Sequence, residues 1–154
     1  MVTSVGLNPD FKAVLKNLIA LDYDAIEAYQ AAIDRVDDPS LKDQLTEFRN
    51  DHRRHTQELS ACARELGVEP PDSPGAKAML TKGKVLIANM AGDRAILAAM
   101  KTNEEDTNTA YERAANHSGL ADLARSAIER GLADERRHRA WLIEIIESFE
   151  LTAA

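Results

Sequence analysis

Residues 51–55 read Asp-His-Arg-Arg-His, and residues 134–138 read Asp-Glu-Arg-Arg-His. Each copy sets two metal-ligand side chains three residues apart: His52 with His55, and Glu135 with His138. Three residues along an α-helix is close to one full turn, so both members of a pair point from the same face. Two such pairs on facing helices can enclose a metal ion.

Outward from these pairs the apolar residues recur every three or four positions, the period of a helix with one buried face. Helix one, over about 9–36, carries Phe11, Leu15, Leu18, Asp22, Ile26, Tyr29 and Ile33 on that face. Asn8-Pro9-Asp10 opens it, with Pro9 in the first turn. Helix two, about 40–66, carries Leu41, Leu45, Phe48, His52, His55, Leu59, Cys62 and Leu66. Ser40 is its expected N-cap and Gly67 its expected terminating glycine. A Pro/Gly-rich break follows over 67–75, then a short helix over about 76–91. Helix three, about 93–116 and capped by Asp93, carries Ile96, Leu97, Met100, Glu104, Thr107, Tyr111 and Ala114. Helix four, about 120–150, carries Leu120, Ala124, Ile128, Gly131, Glu135, His138, Leu142, Ile145 and Phe149.

The expectation is an all-α four-helix bundle forming a single domain over 1–154, which its length also favours. Short turns make helices one–two and three–four antiparallel hairpins. The long segment between them crosses the length of the bundle.

Each stripe is apolar except at one level, where Asp22, His52, His55, Glu104, Glu135 and His138 face inward. A buried carboxylate or imidazole is costly unless it is paired or bound to a metal. The bland alternative is a network of His–carboxylate pairs with no metal. The doubled spacing favours ligation: Tyr29 follows Asp22 by seven residues and Tyr111 follows Glu104 by seven. The repeated unit is therefore a whole hairpin, and the two copies are expected to be related by an approximate twofold axis.

Other residues carry milder expectations. Tyr29 and Tyr111 are hydrogen-bond donors to the ligands, and no catalytic residue is singled out. Cys62 is a small buried hydrophobe and Trp141 a packing residue. Arg53, Arg54, Arg136 and Arg137 form a solvated, ion-paired face. Asp24, Glu27 and Glu105 are expected at the surface, and Asp51 lies one residue off the stripe.

Composition narrows the classes. The single cysteine, Cys62, excludes an internal disulfide and a four-cysteine iron site within one chain. A net charge of −7 without a basic stripe argues against nucleic acid. No apolar run approaches the roughly 20 residues needed to span a bilayer. Residues 1–10 lack the cationic start and apolar core of a signal peptide, so a cytoplasmic, bacterial-type protein is expected. A homodimer is the default assembly.

On these residues the chain, over roughly 10–150, resembles the ferritin-like superfamily. The likeness is to rubrerythrin- and bacterioferritin-type bundles with carboxylate-bridged di-iron sites, and to uncharacterised bacterial bundles of the same layout. In such proteins a Glu from each of two helices joins a Glu-x-x-His pair from each of the others. Glu135-Arg-Arg-His138 followed by Trp141-Leu142 matches that pair. Glu104 with Tyr111 matches a lone acidic helix, and Asp22 with Tyr29 is the same arrangement with Asp for Glu.

The resemblance implies iron, two ions per chain, with Mn or Zn acceptable to the same donors. It implies reaction with O2 or H2O2 as a ferroxidase- or peroxidase-like oxidoreductase that takes electrons from an external donor. His52 is the departure, because the pattern has a bridging Glu there. Three carboxylates face the charge of two divalent ions, Glu135 remains as a bridge, and His52 cannot bridge through one neutral nitrogen. A mononuclear metal-binding or sensing bundle, or a structural bundle with a vestigial site, stay open beside the di-iron reading.

Overall fold

The computed structural model describes residues 3–74 and 87–152. Among the described residues there are four long helices and no strand: α1 (Phe11–Arg35), α2 (Pro39–Glu65), α3 (Asp93–Ala115) and α4 (Asp122–Thr152). The expected short helix over 76–91 lies mostly outside the described residues. None of the described helices is long and apolar enough to cross a membrane.

The helix ends differ from expectation by a residue or two. α1 starts after Pro9, and Asp10 caps it by accepting the Lys12 amide. α2 is capped by Asp38 rather than Ser40; the Asp38 carboxylate accepts the Ser40 amide, with Pro39 in the first helical position. Asp93 is the first residue of α3, not its cap. Its carboxylate instead accepts the Asp37 and Asp38 amides at 2.8 and 3.1 Å, tying the α1–α2 turn to the start of α3. α4 begins at Asp122, past the expected Leu120.

Gly67 does terminate α2. Its φ of +74° suits a residue without a side chain, and its amide donates to Arg64 O while the Val68 amide donates to Ala63 O.

α1 packs on α2 and α3, and α4 packs on α3 and α2. The apolar core is in two parts. One joins Leu15, Leu18 and Ile19 of α1 to Leu59 and Ala63 of α2, Tyr111 and Ala114 of α3, and Ile128 of α4. The other joins Tyr29 and Ala32 to Leu45 and Phe48, Ile96, Leu97 and Met100, and Leu142. The start of α1 thus meets the end of α3, and those helices run antiparallel. α2 ends in the first part while α3 begins in the second, so the α2–α3 connection joins opposite ends of the bundle. Each fully buried leucine contributes about 1.5–3 kcal/mol. Between the two apolar parts lies one polar level.

Candidate metal centre

All six stripe residues meet at that level. Asp22, His52, His55, Glu104, Glu135 and His138 are each at most 2% exposed. They form two overlapping groups with ligand atoms within 4.8 Å of one another: Asp22, His52, His55 and Glu135, and His52, Glu104, Glu135 and His138. His52 and Glu135 belong to both.

In the first group Asp22 Oδ1 lies 2.8 Å from His52 Nδ1 and 3.2 Å from His55 Nδ1. Glu135 Oε1 lies 3.4 Å from each of those nitrogens. In the second, Glu104 Oε1 is 3.5 Å from both His52 Nε2 and His138 Nδ1.

The outer nitrogens of two histidines are held from across the bundle. His55 Nε2, on α2, meets Asp134 Oδ2 of α4 at 2.9 Å. His138 Nε2, on α4, meets Asp51 Oδ2 of α2 at 2.9 Å. A carboxylate on one ring nitrogen fixes the tautomer and turns the other nitrogen, here Nδ1, toward the site. Arg54 and Arg137 each contact both aspartates, linking them at the half-exposed rim.

Asp51 and Asp134 are the functional residues that stripe reasoning missed. The available signal was that both copies of the pentapeptide begin with Asp. Asp24, expected at the surface, is buried but belongs to neither group. Cys62 is half-buried rather than buried. Trp141 stands edge-on to Phe48 at 5.5 Å, and the Phe48 ring lies 4.2 Å from that of His138.

The tyrosines also cross between hairpins. The Tyr111 hydroxyl donates to Asp22 Oδ2 at 2.6 Å, and that of Tyr29 donates to Glu104 Oε1. Burial and these carboxylates hold both phenols well above their ordinary pKa, so they remain protonated donors. Thr107 Oγ1 donates to Glu104 Oε2 at 3.1 Å, and the Asn108 amide ties Glu104 O to Glu135 O across α3 and α4.

Tyr111 reaches Asp22 because α4 has a glycine opposite it. A Cβ on Gly131 would lie 2.3 Å from Tyr111 Cε1. Overpacking of that order costs about 3 kcal/mol, and alanine returns about 1 kcal/mol in helix propensity. Gly131→Ala is therefore expected to destabilise by about 2 kcal/mol and lower Tm by about 4–8 °C. Thermal melts of the metal-free proteins check this, and an unchanged or raised Tm would contradict the close packing.

The donor set fits a metal. Neither oxygen of Glu135 has a hydrogen-bond partner, nor do His52 Nε2 and His138 Nδ1. Charged neighbours at 3.4–3.5 Å offset only part of the cost of burying such groups without a hydrogen bond. Burial raises the Glu135 carboxyl, His52 opposes that rise and Glu104 adds to it, and the result lies above its ordinary value. Asp22 and Glu104, equally buried, are held below theirs by the histidines they face. Mixed imidazole and carboxylate donors suit Fe, Mn and Zn.

Fold and site together define a four-helix bundle with a buried carboxylate–imidazole centre that can hold metal. The chain belongs to the family described as "Domain of unknown function (DUF2383)", whose model matches residues 10–117 and so ends before Glu135 and His138. No curated protein matches it. Among solved structures it is similar to a conserved hypothetical protein, rv2844, from Mycobacterium tuberculosis, with 16% identity and a TM-score of 0.72 over 88% of this chain and 96% of that one. At that identity the likeness shows the fold alone.

Proposed function

We propose that this chain is a ferritin-like protein holding two metal ions, iron foremost with Mn or Zn acceptable, and acting on O2 or H2O2 as a ferroxidase- or peroxidase-like oxidoreductase. The observation that carries the reading is Glu135: a fully buried carboxylate with no hydrogen-bond donor on either oxygen, shared by two groups of potential ligands. Asp22 and His55 would complete one position, and Glu104 and His138 the other, with His52 available to both.

Bound iron would supply one-electron redox chemistry toward oxygen species. The chain's own groups prepare for it. Asp134 and Asp51 aim the Nδ1 atoms of His55 and His138 inward. Tyr111 and Tyr29 hold their protons on the phenol oxygens and orient Asp22 and Glu104. The apolar parts above and below the level exclude water. Cys62 is the sole cysteine, so electrons for a peroxidase cycle would come from a separate donor. The same reading takes residues 1–154 as one domain, in a cytoplasmic homodimer.

The test is anaerobic loading with Fe²⁺, metal analysis, and then exposure to O2 or H2O2. Two ions per chain and Fe²⁺ oxidation faster than in protein-free buffer are expected. One ion without oxidation would point to a mononuclear binding bundle, and no bound ion to a vestigial site; either result refutes the proposal.

A further inference from the structure

His52 differs from the other two histidines of the centre. His55 and His138 each give an outer nitrogen to an aspartate of the opposite hairpin and keep one nitrogen for the site. His52 has no such aspartate, and both its nitrogens face inward. Nδ1 lies with Asp22 and Glu135 of the first group, at 2.8 and 3.4 Å. Nε2 is buried without a hydrogen-bond partner, 3.5 Å from Glu104 Oε1 of the second. The ring is about equally far from the other two histidines, its centroid 5.4 Å from that of His55 and 5.3 Å from that of His138.

Resting on the two-metal reading above, we propose that His52 bridges the two ions, giving Nδ1 to the one beside Asp22 and His55 and Nε2 to the one beside Glu104 and His138. Both ring nitrogens then donate lone pairs, so the ring is bound as imidazolate and its N–H protons leave to solvent. No electron is transferred in this step. The imidazolate adds a fourth negative charge to those of Asp22, Glu104 and Glu135, matching two divalent ions. A histidine thereby restores the neutrality that a fourth carboxylate would give.

Bridging through the ring also spaces the ions. Two metal–nitrogen bonds of about 2.0–2.1 Å on opposite sides of an imidazole separate the ions by more than the about 3.5–4 Å usual of two-metal sites.

A crystal structure of the full chain loaded with Zn²⁺ tests this directly. Two ions are expected, one bonded to each His52 nitrogen, farther apart than about 4 Å. Two ions about 3.5–4 Å apart with a His52 nitrogen unligated would overturn the bridge and leave the two-metal reading intact. Absence of bound ions would overturn both.

Zn²⁺ titration supplies a second measurement. His52→Ala is expected to weaken both binding steps by about tenfold or more, while His55→Ala weakens one. Weakening of a single step by His52→Ala would make it a terminal ligand and overturn the proposal. The holo crystal structure decides the question even where His52→Ala fails to fold.

Discussion

Glu135→Gln is expected to empty both metal positions while leaving the helices intact. The two groups of ligands share Glu135, so one substitution reaches both. Glutamine keeps the shape and length of the side chain but removes its charge. Of the three carboxylates on the six-residue level, two then remain. The amide nitrogen also places donor hydrogens where lone pairs are needed. Removing even an outer-shell partner typically weakens metal binding by about 10–100-fold, so loss of a shared ligand should exceed about 100-fold at both positions. His138→Gln, by contrast, should spare the group formed by Asp22, His52, His55 and Glu135. Metal analysis after dialysis reads the result, with far-ultraviolet circular dichroism as the control for folding. Retention of one full equivalent by Glu135→Gln would show that the two groups do not share this residue.

The second large effect is expected in pH dependence, and its sign reverses when metal binds. In the metal-free chain, burial lowers the His52 pKa, but Glu135, Asp22 and Glu104 outweigh it and push it up to about 10. For His55, burial is outweighed by Asp134 and Asp22, which push it up to about 12. His138 is raised in the same way by Asp51 and Glu104. A histidine raised on folding contributes its stability fully below its unfolded value of about 6.5, and loses that contribution as pH climbs through the folded value. Asp22, Glu104 and Asp51 are held below their ordinary values, so their contributions are present above about pH 4–4.5 and lost on acidification. The metal-free protein should therefore be most stable near pH 5–6.5 and weaken steadily above that range.

A metal ion must displace the same protons, so its affinity should rise with pH, with about four protons released per chain, two from His52 as it becomes imidazolate and one each from His55 and His138. The gap in Tm between Zn²⁺-loaded and metal-free protein should widen from pH 6 to pH 8. Paired melts across that range measure it. A gap that stays constant or narrows would mean that metal binding releases no protons, against the expectation.

The helices and the six inward residues were legible because they depend on one helical period. A residue on a stripe that is otherwise apolar must be buried wherever its neighbours are. Asp22, His52, His55, Glu104, Glu135 and His138 all obey that rule. What periodicity cannot express is which side chain crosses to which helix. Tyr29 follows Asp22 on α1 yet donates to Glu104, and Tyr111 follows Glu104 yet donates to Asp22.

Asp51 and Asp134 sit about 100° around their helices from His52 and Glu135, where a single helix reads as surface. Only the approach of α2 and α4 turns those positions into partners of His138 and His55. The cap of α2 was within reach, since Pro39 at a first helical position marks Asp38 as the residue before it.

The crossing of partners between hairpins has a further consequence. Each hairpin leaves its own histidine and its own carboxylate incompletely supported, and the other supplies what is missing. Two identical hairpins could satisfy such needs by pairing, but symmetry would then oblige both to carry the same residue at every position. Joining them in one chain lifts that obligation. Position 52 can be His while position 135 is Glu, and Asp22 can be shorter than Glu104. The bundle thus sets reciprocal contacts between its hairpins around a centre whose two sides are chemically distinct, and outside the shared His52 and Glu135 each side can differ from the other.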